Sequence, residues 1–532
     1  MRMFPITTGL PTGKIGQASL TIHRIREIVV YEENTRTTGC GELCLPPART
    51  SRLRQAASLR FIRSTVILLG IAVITGCANM KSHDVVATNV QAQVQTGTVA
   101  SAIDELDKSA SSDSERAGLL YNLERGELLR LNKQYPESTA AFLKADALVN
   151  EWEQTAKTDP SKLLGKIGAA LISERLSDYE GQDYEKVWLT TRLALNHLAQ
   201  GETENARADI KRTHEREAVI AEFRAKSLAA AEAEAKTKGA AATGKELNGY
   251  PVETINDPAV LKLKNSYSNA LSHYLAGFLY EVLNEPGLAA PGYRKAIELK
   301  PETPLLEEGL RGLDKRTSFT HKRHKKMTDV LFVVEAGNAP ARKPQAFTIP
   351  VPIDGWQTLS ISYPVIAPST DAPLSLLAAN GQKLKLENVV DVNVMARRAL
   401  KDDMPGMVMR GITRAIAKSV LQHQLSEHAG MFGQIAGMAA SAYTEQADDR
   451  MWRMLPGRVY VARGYLPPGA YQLQIDGRDL GEKINIGGQY ALIPIRLYEN
   501  KAIEGNVIAF GELAPPAPAP TKKGAKRKKA TT

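Results

Sequence analysis

The chain has 532 residues, 43% of them hydrophobic and 24% charged, which is enough for two or three domains with packed cores. Its formal net charge is +10, but residues 1–76 and 521–532 contribute +6 each, which leaves −2 for residues 77–520. A body so close to neutral excludes a broad nucleic-acid-binding surface. The three cysteines are too few for a disulfide framework, so stability must come from apolar packing.

The first element is a secretory signal at the end of an upstream extension, residues 1–76. A basic segment with Arg60 and Arg63 precedes an apolar run at 66–74, and small residues follow. This order is typical of a bacterial signal peptide, and the run is too short to span a bilayer as a helix. Cys77 directly follows Gly76 and resembles the lipobox cysteine of bacterial lipoproteins. The alternative is an uncleaved hydrophobic anchor or a chance Gly-Cys pair.

The lipobox resemblance implies that Cys77 receives a diacylglycerol and becomes the N-terminus of a lipid-anchored mature chain. Lipoproteins kept at the inner membrane typically carry Asp after that cysteine, whereas this chain has Ala78. We therefore expect the outer membrane, with the protein facing the periplasm. Residues 77–114 are polar and rich in small side chains, which predicts a flexible tether.

Helical periodicity dominates residues 115–315, apart from a predicted flexible insert near 238–255. An offset of 16 residues separates a small residue from a larger apolar one in three stretches: Gly126 and Phe142, Ala194 and Ile210, and Gly277 and Tyr293. The pattern resembles the tetratricopeptide (TPR) repeat, in which the small residue lets two helices approach and the large one fills the gap. The alternative is an irregular helical bundle.

The composition changes after a basic, apolar-poor run at 316–328, which we interpret as the boundary between two folded units. Residues 329–512 contain alternating and continuous apolar runs typical of strands, with helices predicted at 404–451. The fold class is therefore α+β: a helical TPR-like domain followed by a β-sandwich-like domain with a helical insertion. Residues 513–532 are rich in Pro, Ala and Lys and should be disordered.

The sequence gives no positive evidence of catalysis. Residues 239–245 match part of a phosphate-binding loop, but a Glu follows where the motif needs Ser or Thr. His321 and His324 lie among cations that disfavour a bound metal, and Asp448 and Asp449 are adjacent rather than placed across a cleft. We therefore predict no catalytic residue, no metal site and no cofactor.

Four segments, including Leu120–Gly126, Tyr179–Glu185 and Asp449–Pro456, resemble a family of proteobacterial TPR-like outer-membrane lipoproteins. The resemblance covers most of residues 115–480. It implies a context at the cell envelope, since members are sometimes encoded beside lipoprotein activators of cell-wall synthases.

Stacked helix pairs leave a concave groove suited to a partner protein. Five residues are candidates to line it: Tyr121, Arg125, His197, His273 and Tyr280. The leading hypothesis is a non-enzymatic, lipid-anchored envelope scaffold that binds protein partners in cell-wall or outer-membrane biogenesis. The alternative is a glycan-binding or peptidoglycan-acting enzyme with its site in the C-terminal domain. The basic tail either pairs with anionic envelope polymers or has no partner.

Overall fold

The protein is described by a computed structural model. The structure describes seven ranges of residues: 82–169, 177–238, 250–323, 325–352, 356–408, 410–411 and 447–513. The predicted signal peptide, Cys77, the phosphate-loop match at 239–245 and the basic tail therefore lie outside the described residues.

Two helices occupy most of the predicted tether, so the prediction that 77–114 is flexible is wrong. Helix α1 spans His83–Thr96 and α2 spans Val99–Ser109. Apolar residues of both helices, such as Val94 and Ala102, are fully buried in the main core. Thr98 and Ser101 form a capping box that fixes the start of α2.

The helical region continues through short helices and helix pairs. In chain order the helices are α3 Asp113–Ala117, α4 Leu119–Leu131, α5 Tyr135–Thr158, α6 Pro160–Ala169, α7 Asp183–Ala199, α8 Thr203–Lys238, α9 Pro258–Lys262, α10 Ala270–Val282, α11 Pro286–Leu299, α12 Pro304–Arg311, α13 Leu313–Thr317 and α14 Phe319–Arg323. A 3₁₀ turn at Val252–Thr254 precedes α9. The hairpins α4/α5, α7/α8 and α10/α11 coincide with the three stretches that share the 16-residue offset.

The predicted contacts between small and aromatic residues are confirmed in two of these hairpins. A Cβ added to Gly126 would lie 2.5 Å from Cε1 of Phe142, and one added to Gly277 would lie 2.7 Å from Cδ1 of Tyr293. The absence of a side chain therefore lets each aromatic ring lie directly on the facing helix.

The strands follow the helices, so the prediction of a helical N-terminal region and a strand-rich C-terminal region is confirmed. They are β1 Thr328–Ala336, β2 Lys343–Pro352, β3 Trp356–Val365, β4 Leu376–Ala379, β5 Gln382–Lys385, β6 Glu387–Asp391, β7 Arg458–Leu466, β8 Gly469–Tyr471, β9 Leu473–Ile475, β10 Arg478–Asp479, β11 Ile484–Ile486, β12 Tyr490–Leu497, β13 Ala502–Glu504 and β14 Ile508–Phe510. A six-stranded sheet has the order β13-β12-β1-β7-β6, with β14 also paired to β12, and a four-stranded sheet has the order β10-β9-β4-β5.

Strand β1 lies at the centre of the six-stranded sheet, and its two faces join different cores. Val330, Phe332 and Val334 pack with residues of the four-stranded sheet, such as Leu377. Leu331 and Val333 belong to the core that contains the helices. Because successive side chains of a strand point to opposite faces, one continuous apolar run serves both layers.

Helix α15, at residues 392–408, differs from the predicted helices at 404–451. It starts earlier because Val392, Met395, Ala399 and other buried residues continue the apolar face towards the N-terminus. Residues 412–446 lie outside the described ranges. Residues 447–451 are not helical.

The predicted flexible insert at 238–255 lies mainly outside the described residues, but its end is packed. The ring of Tyr250 is 5.3 Å from that of Phe347, and its hydroxyl donates a hydrogen bond of 3.1 Å to the carbonyl of Pro364. Tyr250 thus attaches this end of the segment to the β2–β3 hairpin.

The predicted domain boundary at 316–328 is also wrong, because this run is part of the packed structure. Arg316 and Lys325 are only 6% and 5% exposed. Arg316 donates to Glu281 on α10, and Phe278 of α10 packs edge-on against Tyr490 of β12 at 6.1 Å. The helices and the six-stranded sheet therefore share one core and are not two separately folded domains.

We predict that Gly277→Ala lowers the free energy of unfolding by about 1–3 kcal/mol, because the added methyl group overpacks the contact with Tyr293. Chemical denaturation would measure the change. Gly287→Ala on α11 is the matched control, since an added Cβ there meets nothing within 4 Å. An equal loss of unfolding free energy in both variants would contradict the close contact between α10 and α11 at Gly277.

Candidate functional site

The structure does not bring the five predicted groove residues into one surface. His197 is buried and its Nδ1 lies 2.7 Å from Oδ2 of Asp209 on the neighbouring helix α8. His273 is also buried, with Nδ1 3.1 Å from His214 Nε2 and Nε2 3.1 Å from the Glu217 carboxylate. Both histidines therefore hold α8 against its neighbours and do not face a partner.

The other three predicted residues are partly exposed but lie in two places. The Tyr121 hydroxyl donates to Asp107 Oδ1 at 2.6 Å, and Arg125 Nε reaches the same oxygen at 3.3 Å. Tyr280 instead lies under the guanidinium of Arg207, at 5.8 Å. The first pair joins α4 to α2, whereas Tyr280 joins α10 to α8.

The inner face of the helices is filled by the chain itself. Residues 447–456, which we call the inner strap, contain no helix or strand and lead towards strand β7. Met451, Trp452, Met454 and Leu455 are each 0–1% exposed, and the Trp452 ring lies 5.7 Å from that of Phe142. The strap thus occupies the part of the helical surface around Phe142.

Two buried carboxylates hold the strap by its backbone. Glu124 on α4 accepts hydrogen bonds from the amides of Arg453 at 2.6 Å and Met454 at 3.0 Å. Glu185 on α7 accepts one from the amide of Trp452 at 2.7 Å. The segments Leu120–Gly126, Tyr179–Glu185 and Asp449–Pro456 therefore meet here, and they bind one part of the chain to another.

The start of α1 is fixed to the same strap. His83 Nε2 lies 2.8 Å from the carbonyl of Met451 and 3.6 Å from Glu124 Oε1. Burial acts to lower the pKa of His83, but Glu124 outweighs it and the pKa is raised. Ser82 donates a hydrogen bond of 2.5 Å to Asp449. The first described residues are therefore tied to the strap rather than free.

A cluster of five buried charges joins the helices to the sheet. Its members are Glu127 and Arg130 of α4, Arg192 of α7, Glu335 of β1 and Arg496 of β12. Arg130 bridges Glu127 and Glu335, with Nη2 2.8 Å from an oxygen of each, and Arg192 contacts both carboxylates as well. Burial acts to raise the pKa of Glu335, but the three arginines outweigh it and hold the pKa well below its ordinary value.

A second buried cluster lies towards the other end of β1. Arg463 of β7 binds Asp329 of β1 at 2.8 Å and Glu281 of α10 at 2.6 Å. Arg316 of α13 also reaches Glu281, at 2.6 Å. Burial acts to raise the pKa of Glu281, but Arg463 and Arg316 lower it to about 2. The two clusters thus attach different helix pairs to the same strand.

The charged residues of these two clusters are thus engaged in internal contacts. Within the described ranges, no group of three His, Cys, Asp or Glu side chains could hold a metal ion. Nor does any helix in those ranges have the length and apolar character needed to cross a bilayer. Sequence reasoning missed the buried clusters, although Glu335 and Arg496 each interrupt an apolar strand and could have signalled them.

No protein-family model matches the sequence, and no curated protein matches it either. Among solved structures, the chain is similar to the crystal structure of a tetratricopeptide repeat protein from Parabacteroides merdae. The match has 12% identity, covers 43% of this chain and 98% of that chain, and has a TM-score of 0.12. A TM-score this low supports no conclusion about fold or function, so the lipoprotein family and the TPR repeats stay predictions.

We predict a specific acid sensitivity from the second cluster. Because the pKa of Glu281 falls from 4.5 to about 2 on folding, the unfolded chain takes up this proton first as the pH drops. The stabilisation is complete above pH 4.5 and is lost as the pH falls towards 2. The difference in unfolding free energy between the wild type and Glu281→Gln should therefore shrink by about 3 kcal/mol over this window.

Denaturant titrations at several pH values would measure this difference, with Glu151→Gln, at an exposed position of α5, as the control for loss of one carboxylate. A difference for Glu281→Gln that stays constant with pH would contradict the ion-paired state.

Proposed function

We propose that the protein is a non-enzymatic scaffold, anchored by lipid at Cys77 to the outer membrane and facing the periplasm. The observation that supports it best is that the helices and the six-stranded sheet share one core, and that the start of α1 is bound to the inner strap. A single folded unit of this kind can hold a binding surface at a set distance from its anchor.

The proposed anchor lies close to the folded structure. Helix α1 begins at His83, six positions after Cys77, so the connection can reach about 20 Å at most. The other end of α1 is also fixed, because Lys501 Nζ donates to the carbonyls of Val94 and Gly97. A lipid at Cys77 would therefore keep the start of α1 near the membrane.

The C-terminal end of α1 lies near one end of the central strand. Lys501 lies shortly after Leu497, which is paired with Ala336, the last residue of β1. The first residue of β1 is Thr328, and eight steps of 3.3 Å place it about 26 Å from Ala336. The Thr328 end of the sheet is thus further from the C-terminal end of α1, whereas the start of α1, which leads to Cys77, contacts the strap at Met451 and Asp449.

Protein partners would contact the outer surface of the hairpins, because the strap occupies part of the inner one. Of the predicted groove residues, Tyr121, Arg125 and Tyr280 remain available for this role, whereas His197 and His273 are buried. Leu288, 51% exposed on α11, adds an apolar side chain on the hairpin that contains Tyr280.

The alternative of a peptidoglycan-cleaving enzyme gains no support from the acidic pair in the strap. Asp448 binds Arg450 at 2.8 Å, and Asp449 accepts a hydrogen bond from Ser82. These two carboxylates therefore stabilise the strap and α1, and they are adjacent in the chain rather than placed across a cleft.

Membrane fractionation and labelling with a fatty-acid precursor test the anchor. The wild type should carry label and fractionate with the outer membrane, whereas Cys77→Ala should remain an unlabelled precursor. Ala78→Asp is the matched control, because it keeps the cysteine and should move the labelled protein to the inner membrane. Membrane-bound Cys77→Ala protein of mature size would refute the lipid anchor.

A further inference from the structure

Two histidines contact each other where helix α8 packs against α10. The rings of His214 on α8 and His273 on α10 have centres 4.8 Å apart and meet at an angle of 70°. Nε2 of His214 lies 3.1 Å from Nδ1 of His273. His214 is exposed to solvent, whereas His273 is 1% exposed. We call these two residues the histidine pair; in it, a ring that solvent reaches is bonded to a buried one.

The groups at the two ends of the histidine pair determine how many protons it carries. Nδ1 of His214 lies 3.0 Å from the carbonyl oxygen of Ile210, and Nε2 of His273 lies 3.1 Å from both carboxylate oxygens of Glu217. A carbonyl and a carboxylate only accept hydrogen bonds, so both of these ring nitrogens carry a proton. The hydrogen bond between the rings needs one further proton. Three protons on four nitrogens mean that one ring is a cation and the other is neutral.

The positive charge belongs on His273, because this ring faces the Glu217 carboxylate. His273 then donates through Nδ1–H to Nε2 of a neutral His214. Partial burial lowers the pKa of His214, and the neighbouring His273 lowers it further; together they outweigh the effect of Glu217. The other charged or titratable groups near the pair are Lys211 and Glu215 of α8, which bind each other, Lys295 of α11, which binds Glu298, and Tyr267, just before α10.

A fourth proton breaks the hydrogen bond between the rings. When Nε2 of His214 is protonated, two N–H groups face each other across the 3.1 Å contact, and both rings are cations. The cations repel each other, and neither N–H has an acceptor. The ordinary pKa of histidine is 6.5, and that of His214 is lowered on folding. The stabilisation is therefore complete above pH 6.5 and is lost as the pH falls below it.

The same two helices carry an aromatic residue that is proposed to meet a partner. Arg207 of α8 lies over the ring of Tyr280 on α10, at 5.8 Å, and binds Glu285 at 3.1 Å. This contact is about two helical turns from His214 along α8 and about two turns from His273 along α10. A change in the contact between α8 and α10 at the histidine pair therefore acts on the surface around Tyr280.

We propose that the histidine pair is an acid-sensitive link between α8 and α10. It holds the helices together while one ring is neutral, and it pushes them apart when both rings are cations. An effect of acid on a partner at Tyr280 rests on the proposed function. The link itself depends only on the contacts between the two helices, so it can be tested without a partner or a membrane.

Urea denaturation of the full chain at about pH 7.5 and about pH 5 tests the link. His214→Gln is the decisive variant, because its amide oxygen can still accept from His273 but takes up no proton in this range. The two proteins should have similar stability at pH 7.5. At pH 5 the wild type should have an unfolding equilibrium constant several-fold larger than that of His214→Gln. Both conditions lie above pH 4.5, so the loss of stabilisation at Glu281 does not contribute.

His321→Gln on α14 is the matched control, since it removes one histidine outside the pair and should lose stability in acid as the wild type does. Equal acid losses in the wild type and His214→Gln would overturn the proposal.

NMR of the wild type with ¹⁵N-labelled histidine measures the protons directly. At pH 7.5 His214 should be neutral with its proton on Nδ1, and His273 should carry protons on both nitrogens. Two neutral rings or two cations at this pH would overturn the proposal. Failure of the lipid anchor would show instead in the fractionation of Cys77→Ala, which neither measurement involves.

Discussion

The pairing of Glu335 with three arginines is the interaction on which the rest of the structure depends. The carboxylate lies on the central strand, and the arginines come from α4, α7 and β12. If helices and sheet moved apart, Glu335 would lose the partners on α4 and α7, and those arginines would lose a counter-charge. Breaking one partner of a buried pair costs about 3–5 kcal/mol, so this cluster opposes any separation of the helices from the sheet.

Because the helices are held against the sheet, only some of their surfaces are accessible to a partner. The sheet and the inner strap cover the inner side of the helices, and Glu124 and Glu185 hold the strap's backbone there. A partner would therefore meet the outer faces of the hairpins.

The sequence predicted local packing well and long-range packing poorly. The 16-residue offset located the contacts of Gly126 with Phe142 and Gly277 with Tyr293, since each contact joins two helices that are adjacent in sequence and form one hairpin. Residues 316–328 looked like a linker because their cations read as exposed, yet Arg316 is buried against Glu281, 35 positions away. The prediction of a flexible tether at 77–114 was wrong for a similar reason. The composition of these residues is polar overall, yet α1 and α2 each have an apolar stripe. In both segments, burial is determined by contacts with residues that are distant in sequence.

Native-state hydrogen exchange tests most directly the claim that helices and sheet form one cooperative unit. Amides of α4, α10 and β1 should exchange with one common free energy, and Glu335→Gln should lower it equally in all three. The result would be contradicted if β1 kept its protection while the amides of α4 and α10 opened independently at a lower free energy.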